Sequence, residues 1–212
     1  MAPTDDEAQP ERIRHLYARL APKYDRSMRL WDRLLFAEPR RWVCSQAAGD
    51  TLEVGIGTGL NLLLYPAEIR LTGLDLTPAM LEHARRRAEE LGRDVDLREG
   101  DAGQMPFPDA AFDTVVFSLS LCTIPDPGRA VDEAHRVLRP GGRLLLVEHV
   151  RSPHRAVRAG QRLIDPIAVR FQADHQLREP LEDVHRLGFV VEELRRSGLG
   201  IVEALRAAKP AP

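Results

Sequence analysis

The sequence predicts an α/β protein built on a mostly parallel sheet, a single domain with a helical N-terminal cap. Three observations predict it. Between residues 50 and 150, short apolar runs alternate with stretches of helical period. A glycine cluster, Gly55-Ile56-Gly57-Thr58-Gly59, closes the first of those runs. The run Thr-Val-Val-Phe-Ser-Leu-Ser-Leu at 114–121 is apolar enough to be covered on both faces, as strands of a parallel sheet are.

The elements follow in order. Residues 1–10 carry three acids and two prolines and read as a frayed tail. From residue 11, Ile13, Leu16, Tyr17 and Leu20 recur at helical spacing. Ala21-Pro22 is expected to interrupt this helix. A second stretch then sets Met28, Trp31, Leu34 and Leu35 on one side, and Pro39 resets the chain. Trp42, Val43, Gln46 and Ala47 continue the helix to Gly49. The cap is thus residues 11–48 and the core residues 49–209.

In the core, residues 50–54 form a first strand. Residues 60–65 make one or two helical turns, stopped by Pro66. A second strand covers 69–74. Thr77 and Pro78 suit a helix start, Met80, Ala84, Ala88 and Leu91 its inner stripe, and Gly92 its end. A third strand covers 95–99 and a fourth 112–121. Asp126-Pro127 opens a helix with Val131, Ala134 and Leu138 facing inward, ended by Pro140-Gly141-Gly142. A fifth strand covers 143–150. A helix from about 154 to 164 is then expected to break or kink at Pro166, and another to run from 180 to 187. Strands at 189–194 and 200–205, joined by Arg195-Arg196-Ser197-Gly198, read as a hairpin with the last strand antiparallel.

Composition bounds the function. The 212 residues are 43% hydrophobic and 29% charged, which excludes wholesale disorder. Thirty basic side chains against 32 acidic ones give a net charge of −2, against a nucleic-acid partner. Cys44 and Cys122 are too few for a disulfide scaffold or a four-ligand zinc site, and no metal is expected. No apolar run reaches about 18 residues, so no transmembrane segment is expected, while peripheral membrane contact stays open. The acidic, polar start reads as no secretory signal, and a cytoplasmic monomer or homodimer is expected.

The glycine cluster lets the backbone turn tightly and lets a ligand approach without a side chain in the way. A dinucleotide fingerprint needs its third glycine where this chain has Leu60, which argues against a nicotinamide or flavin enzyme. Asp75 falls at the tip of the second strand, 20 residues after Gly55, where a carboxylate can accept from a ribose diol. Asp101, after the third strand, can accept from an exocyclic adenine amine. Together these residues point to an adenosine across the carboxyl edge of strands one to three.

Four stretches carry a family resemblance: LEVGIGTG (52–59), LTGLDLTPAMLEHAR (71–85), REGDAGQMPFPDAAFDTVVFSLSLC (98–122) and EAHRVLRPGGRLLLVEH (133–149). Over essentially residues 11–209 the chain resembles the class I S-adenosylmethionine-dependent methyltransferases. PFPDAAFD followed by RVLRPGG is similar to the branch of quinone, phospholipid and small-molecule methyltransferases. YARLAPKYD (17–25) resembles the quinone enzymes' substrate-side cap, and the tail looks closer to small-molecule and thiol methyltransferase-like proteins.

The resemblance implies a Rossmann-like three-layer sandwich with a seven-stranded sheet of order 3-2-1-4-5-7-6, strand 7 antiparallel. It implies S-adenosylmethionine as cofactor and S-adenosylhomocysteine as product. Carried over by position, Gly55, Gly57 and Gly59 would line the methionine part. Glu53 would hold the glycine loop or reach the amino group through a water. Asp75 would bind the ribose hydroxyls, with Leu76 against the adenine, and Asp101 and the Ala102 amide would read the adenine edge. Ser118 would lie under the methionine amine through its carbonyl, and Tyr17 and Tyr24 would close over the cofactor.

A sulfonium donor is already activated, so the protein mainly aligns reactants and excludes water. A base matters only where the acceptor loses a proton. His149 and Asp165 are the candidate bases, with His175 read as a solvated loop residue and Cys122 as packing. Arg85, Arg86 and Arg87 read as a solvated face. The expected activity is methyl transfer to a small, apolar acceptor through a carbon, nitrogen or sulfur nucleophile, a quinone or phospholipid headgroup being the alternative acceptor. A non-catalytic binder of the same cofactor, regulatory or a partner protein, is the competing reading.

Overall fold

The structure is a computed structural model that describes residues 5–211. Seven strands form one sheet: β1 (Asp50–Val54), β2 (Arg70–Asp75), β3 (Val95–Glu99), β4 (Phe112–Ser118), β5 (Leu138–His149), β6 (Val190–Ser197) and β7 (Val202–Ala208). Their spatial order is β3-β2-β1-β4-β5-β7-β6, with β7 antiparallel to both β5 and β6, as the resemblance implied.

Alternation along the central strands makes the three layers. Successive side chains of a strand point to opposite faces. Val115 and Phe117 therefore join one buried cluster with Leu144, Leu146, Val131 and Ala134. Val116 joins the other, with Leu145, Val147, Val43 and Leu81. The first face is covered by α4 (Pro127–Val137) and α6 (Pro180–Arg186), the second by α2 (Ala37–Ser45) and α3 (Pro78–Leu91). Each fully buried Leu or Phe contributes roughly 1.5–3 kcal/mol through its lost hydration. The outer strand β6 is mostly exposed and carries Glu192, Glu193, Arg195 and Arg196, charges that discourage edge-to-edge pairing.

The N-terminal region corrects two expectations. Residues 5–10, expected in a frayed tail, belong to α1 (Asp5–Trp31), while residues 1–4 lie outside the described residues. Neither Pro22 nor Pro39 breaks the chain direction. Pro22 sits inside α1 beside the buried Ala21, so packing outweighs the lost hydrogen bond. Before Pro39 the helix widens into a π-helical turn, Asp32–Phe36, and Pro39 falls in the first turn of α2, where its missing N–H costs little. Trp31 and Leu34, expected on an inner stripe, are 54% and 64% exposed.

Two other helices differ. Residues 60–65 form separate turns, with Leu62 N–H bonded to the Gly59 carbonyl and Leu64 N–H to the Asn61 carbonyl. Left-handed Gly57 and Gly59 on one side and Pro66 on the other leave too few residues for a helix. Conversely, α5 (Arg155–Gln172) runs straight past Pro166, and its inner side chains explain why. Gln161 bonds the Val150 and Gln176 carbonyls, and Asp165 accepts the Gln176 N–H at 2.7 Å, before the proline, while the Tyr17 hydroxyl donates to the Gln172 carbonyl beyond it, so the helix is held on both sides.

Candidate active site

Five parallel strands end at one edge, and that edge holds the site. Val54, Asp75, Glu99, Ser118 and His149 are the last residues of β1 to β5. One cleft there is lined by Tyr17, Tyr24, Gly55, Gly57, Asp75, Leu76, Asp101 and Ala102, together with Leu119, Ser120 and Thr123. A smaller recess shares Tyr24, Gly55 and Gly57 and adds Glu53, Arg40 and Ser118. Ten of the sequence-predicted site residues thus converge (Tyr17, Tyr24, Glu53, Gly55, Gly57, Asp75, Leu76, Asp101, Ala102 and Ser118).

The glycines differ in purpose. A Cβ on Gly55 would stand 2.5 Å from the Ser120 Cβ, so the glycine lets β1 and β4 loops approach. A Cβ on Gly57 would meet only the Gly55 carbonyl, at 4.0 Å, so the space above Gly57 is open to a ligand. Gly59 does not line the cleft. Its Cβ would press on Leu62 and on the Ala84 backbone of α3, which makes it a packing glycine.

Asp75 organises the donor edge. Its carboxylate accepts the Gly57 N–H and the Thr77 N–H, each at 2.8 Å, fixing the glycine loop and starting α3. Burial pushes its pKa up to about 6 against these hydrogen bonds. Glu53 is 1% exposed. Asn61 donates to its Oε1 at 2.5 Å, while its Oε2 has no protein partner. Burial raises the Glu53 pKa to about 7. Asp101 accepts the Gly103 N–H at 2.7 Å, which turns the chain after β3.

The residues fit an adenosyl amino acid on three counts. The open face of Gly57 admits a ligand backbone. Asp75 keeps unused lone pairs toward the cleft after its two amide bonds. The orphaned Glu53 Oε2 is a buried acceptor suited to an ammonium group.

The edge at β4 and β5, the expected acceptor side, is built from long-range pairs. His149 Nε2 lies 2.6 Å from Asp174 Oδ1, and Gln176 Nε2 donates to Asp174 Oδ2 at 2.7 Å. Burial opposes charge on His149, but the Asp174 carboxylate outweighs it and holds the imidazole pKa above its usual value. Burial pushes the Cys122 thiol up, so it stays protonated beside Asp174. Cys122, His149 and Asp174 offer sulfur, nitrogen and oxygen within 4.8 Å of one another, the one group among the described residues with metal-ligand spacing. Glu148 accepts the Ser120 and Leu121 N–H groups at 2.8 and 2.9 Å and so holds the turn that ends β4. Leu119 in that turn has a φ of 55°, a strained value for a branched side chain. His149 stands behind the cleft wall, and Asp165 is not drawn into the cleft at all, its carboxylate being spent on Gln176.

Four contributors escape a reading of the sequence. Asp174 looks like a loop acid until it meets His149. Asp25 accepts the Thr58 hydroxyl at 2.6 Å and pairs with Arg87, so the cap is latched to the glycine loop and to α3. Arg87 therefore leaves the solvated face expected for it. Arg40, 4% exposed, bonds Asn61 and pairs with Asp32. Arg178 donates to the Leu121 and Ile124 carbonyls beside the cleft. No motif marks these pairs, because 25 to 87 and 149 to 174 are joined only by folding.

Residues 52–146 match the family model described as a methyltransferase domain. A phosphatidylethanolamine N-methyltransferase of Cereibacter sphaeroides is 42% identical over 52% of this chain and 57% of its own length. A demethylmenaquinone methyltransferase of Thermus thermophilus is 37% identical over 63% of this chain and 64% of its own. The chain thus spans less than two thirds of these curated relatives. A SAM-dependent methyltransferase structure from Thermotoga maritima superposes with a TM-score of 0.73 at 24% identity, over 93% of this chain and 99% of that one, a likeness of fold.

Proposed function

We propose that this chain is a class I S-adenosylmethionine-dependent methyltransferase and transfers a methyl group to a small, apolar acceptor through a carbon, nitrogen or sulfur nucleophile. The observation that carries the reading is the convergence of Gly57, Asp75, Asp101 and the orphaned Glu53 around one cleft and its recess. The names of the relatives favour a quinone or a phospholipid headgroup among the acceptors.

When bound, S-adenosylmethionine supplies a methyl group already activated by its sulfonium. Asp75 would accept the two ribose hydroxyls, Asp101 and the Ala102 amide would take the adenine edge, and Leu76 would pack on the ring. Glu53 would face the ammonium group, and the Ser118 carbonyl would support it. Tyr17 and Tyr24, ring centroids 6.3 Å apart, close the cleft and exclude water. His149, whose Nε2 Asp174 holds, would accept the proton of a protic acceptor through its unpartnered Nδ1 once the wall between it and the cleft admits that acceptor. Asp165 acts as a positioning residue, holding the loop that carries Asp174. The reaction runs in the cytoplasm.

Labelled S-adenosylmethionine with a quinol, a phosphatidylethanolamine and an alkyl thiol tests this. Label in one acceptor is expected. Tight cofactor binding with no transfer to any acceptor would favour the non-catalytic reading.

A further inference from the structure

Helix α5 presents an apolar stripe that nothing in the described fold covers. Leu163, Ile164, Ile167 and Phe171 are 77%, 58%, 60% and 63% exposed. At about 100° per residue they share one strip of about 100° along the helix. The opposite side is the one pinned by Gln161 and Asp165 to the 173–178 loop. Scattered exposed leucines need no explanation, but four large apolar side chains in one strip do.

Charge decides what the stripe meets. Arg155, Arg162 and Arg170 lie along one flank of it, within a chain of net charge −2, while Arg158, on the far side, bonds the Ser152 carbonyl. None of the three flanking arginines makes an ion pair among the described residues, whereas Arg136 and Arg139 elsewhere do. The helix's single acid, Asp165, faces inward. A large apolar stripe beside unpaired arginines is the pattern of a helix lying in a membrane interface. A second copy packed antiparallel on this stripe would bring the same three flanking arginines against one another.

We propose that α5 docks this protein on the surface of a bilayer containing anionic lipid. The arginines meet the headgroup phosphates and the four apolar side chains enter the acyl boundary. The Tyr17 hydroxyl donates to the Gln172 carbonyl at 3.1 Å, so the docked helix ends against a residue that lines the cleft. An apolar acceptor then reaches the cleft from the bilayer. That delivery rests on the methyl-transfer reading, and the docking does not.

Co-sedimentation of the full chain with vesicles tests it. Binding to phosphatidylcholine vesicles containing phosphatidylglycerol is expected to exceed binding to phosphatidylcholine alone by roughly tenfold and to fall as salt rises. The double variant Leu163→Glu/Ile167→Glu should lose about tenfold or more of that binding while its affinity for S-adenosylmethionine, read by calorimetry, is unchanged. If that variant does not fold, Arg155→Glu/Arg162→Glu, at exposed positions, must show the loss. No partition onto either vesicle overturns the proposal, as does undiminished binding by a folded variant. So does a dimer in light scattering that the same substitutions dissolve. Cofactor binding without vesicle binding refutes the docking and leaves the methyl-transfer reading standing.

Discussion

The two halves of the cleft are built in opposite ways. The donor edge, from β1 to β3, is held by carboxylates at strand ends that grip backbone amides: Asp75 grips Gly57 and Thr77, and Asp101 grips Gly103. The acceptor edge, at β4 and β5, is held by side chains from distant segments: His149 to Asp174, Gln161 to Gln176, Arg178 to Leu121. A donor edge pinned on the backbone at the ends of neighbouring strands suits a ligand whose shape does not vary. An acceptor edge assembled by loops and helices can change without disturbing the sheet.

The sharpest break between the halves comes from Asp75→Ala. Two charge-assisted bonds to a ribose, each worth roughly 1.5–3 kcal/mol, are lost, so the cofactor dissociation constant should rise about 10²-fold or more. Circular dichroism should show the variant folded. A folded variant that binds as tightly as the parent would end the ribose assignment.

Asp174→Asn should act on the other half alone. Turnover of a protic acceptor is expected to fall about 10²-fold, with cofactor affinity nearly unchanged. The pH profile separates this from a structural effect. His149 serves as a base only when neutral, and Asp174 holds its pKa above the usual value, so the parent rate should rise with pH past 6.5. In the variant that midpoint should move down. An unmoved midpoint would leave Asp174 as scaffolding.

Proton linkage sharpens the donor half next. Asp75 titrates at about 6 and Glu53 at about 7 in the free protein, and bound ribose and ammonium groups favour both carboxylates. Affinity is therefore full above those values and lost as pH falls through them. Between pH 7 and pH 5 the affinity should drop about tenfold or more. Calorimetry in matched buffers checks this, and a flat profile would mean that neither carboxylate meets the ligand.

The smallest effect belongs to the latch between the cap and the donor edge. Asp25→Ala removes the Thr58 hydrogen bond and the partly exposed pair with Arg87. Such pairs are worth about 1 kcal/mol or less, so cofactor affinity should weaken no more than about fivefold. Amide exchange in residues 17–28 should rise. A larger loss of affinity would mean that the cap itself binds the cofactor more strongly than the donor edge suggests.

The sequence by itself determined the sheet and the donor edge. Strand periodicity placed β1 and β3 to the residue: β1 is buried from Thr51 to Val54, and β3, at the sheet edge, keeps the alternation of Val95 and Leu97 with exposed polar residues. Gly57, Asp75 and Asp101 were legible because each works through its own neighbours: a turn, an amide two residues away, a strand end. Only the tertiary structure decided the rest. Pro22, Pro39 and Pro166 look like breaks in isolation, yet packing of Ala21, a π turn and the Asp165–Gln176 bond carry the helices past them. Gly59 became a packing glycine because of where α3 lies, and Asp165 a loop clasp because of where Gln176 lies. The pairing of His149 with Asp174 crosses 25 residues of chain, and that of Asp25 with Arg87 crosses 62. Spacing carries no information about such pairs, since what joins them is the closure of loops paid for by the whole core.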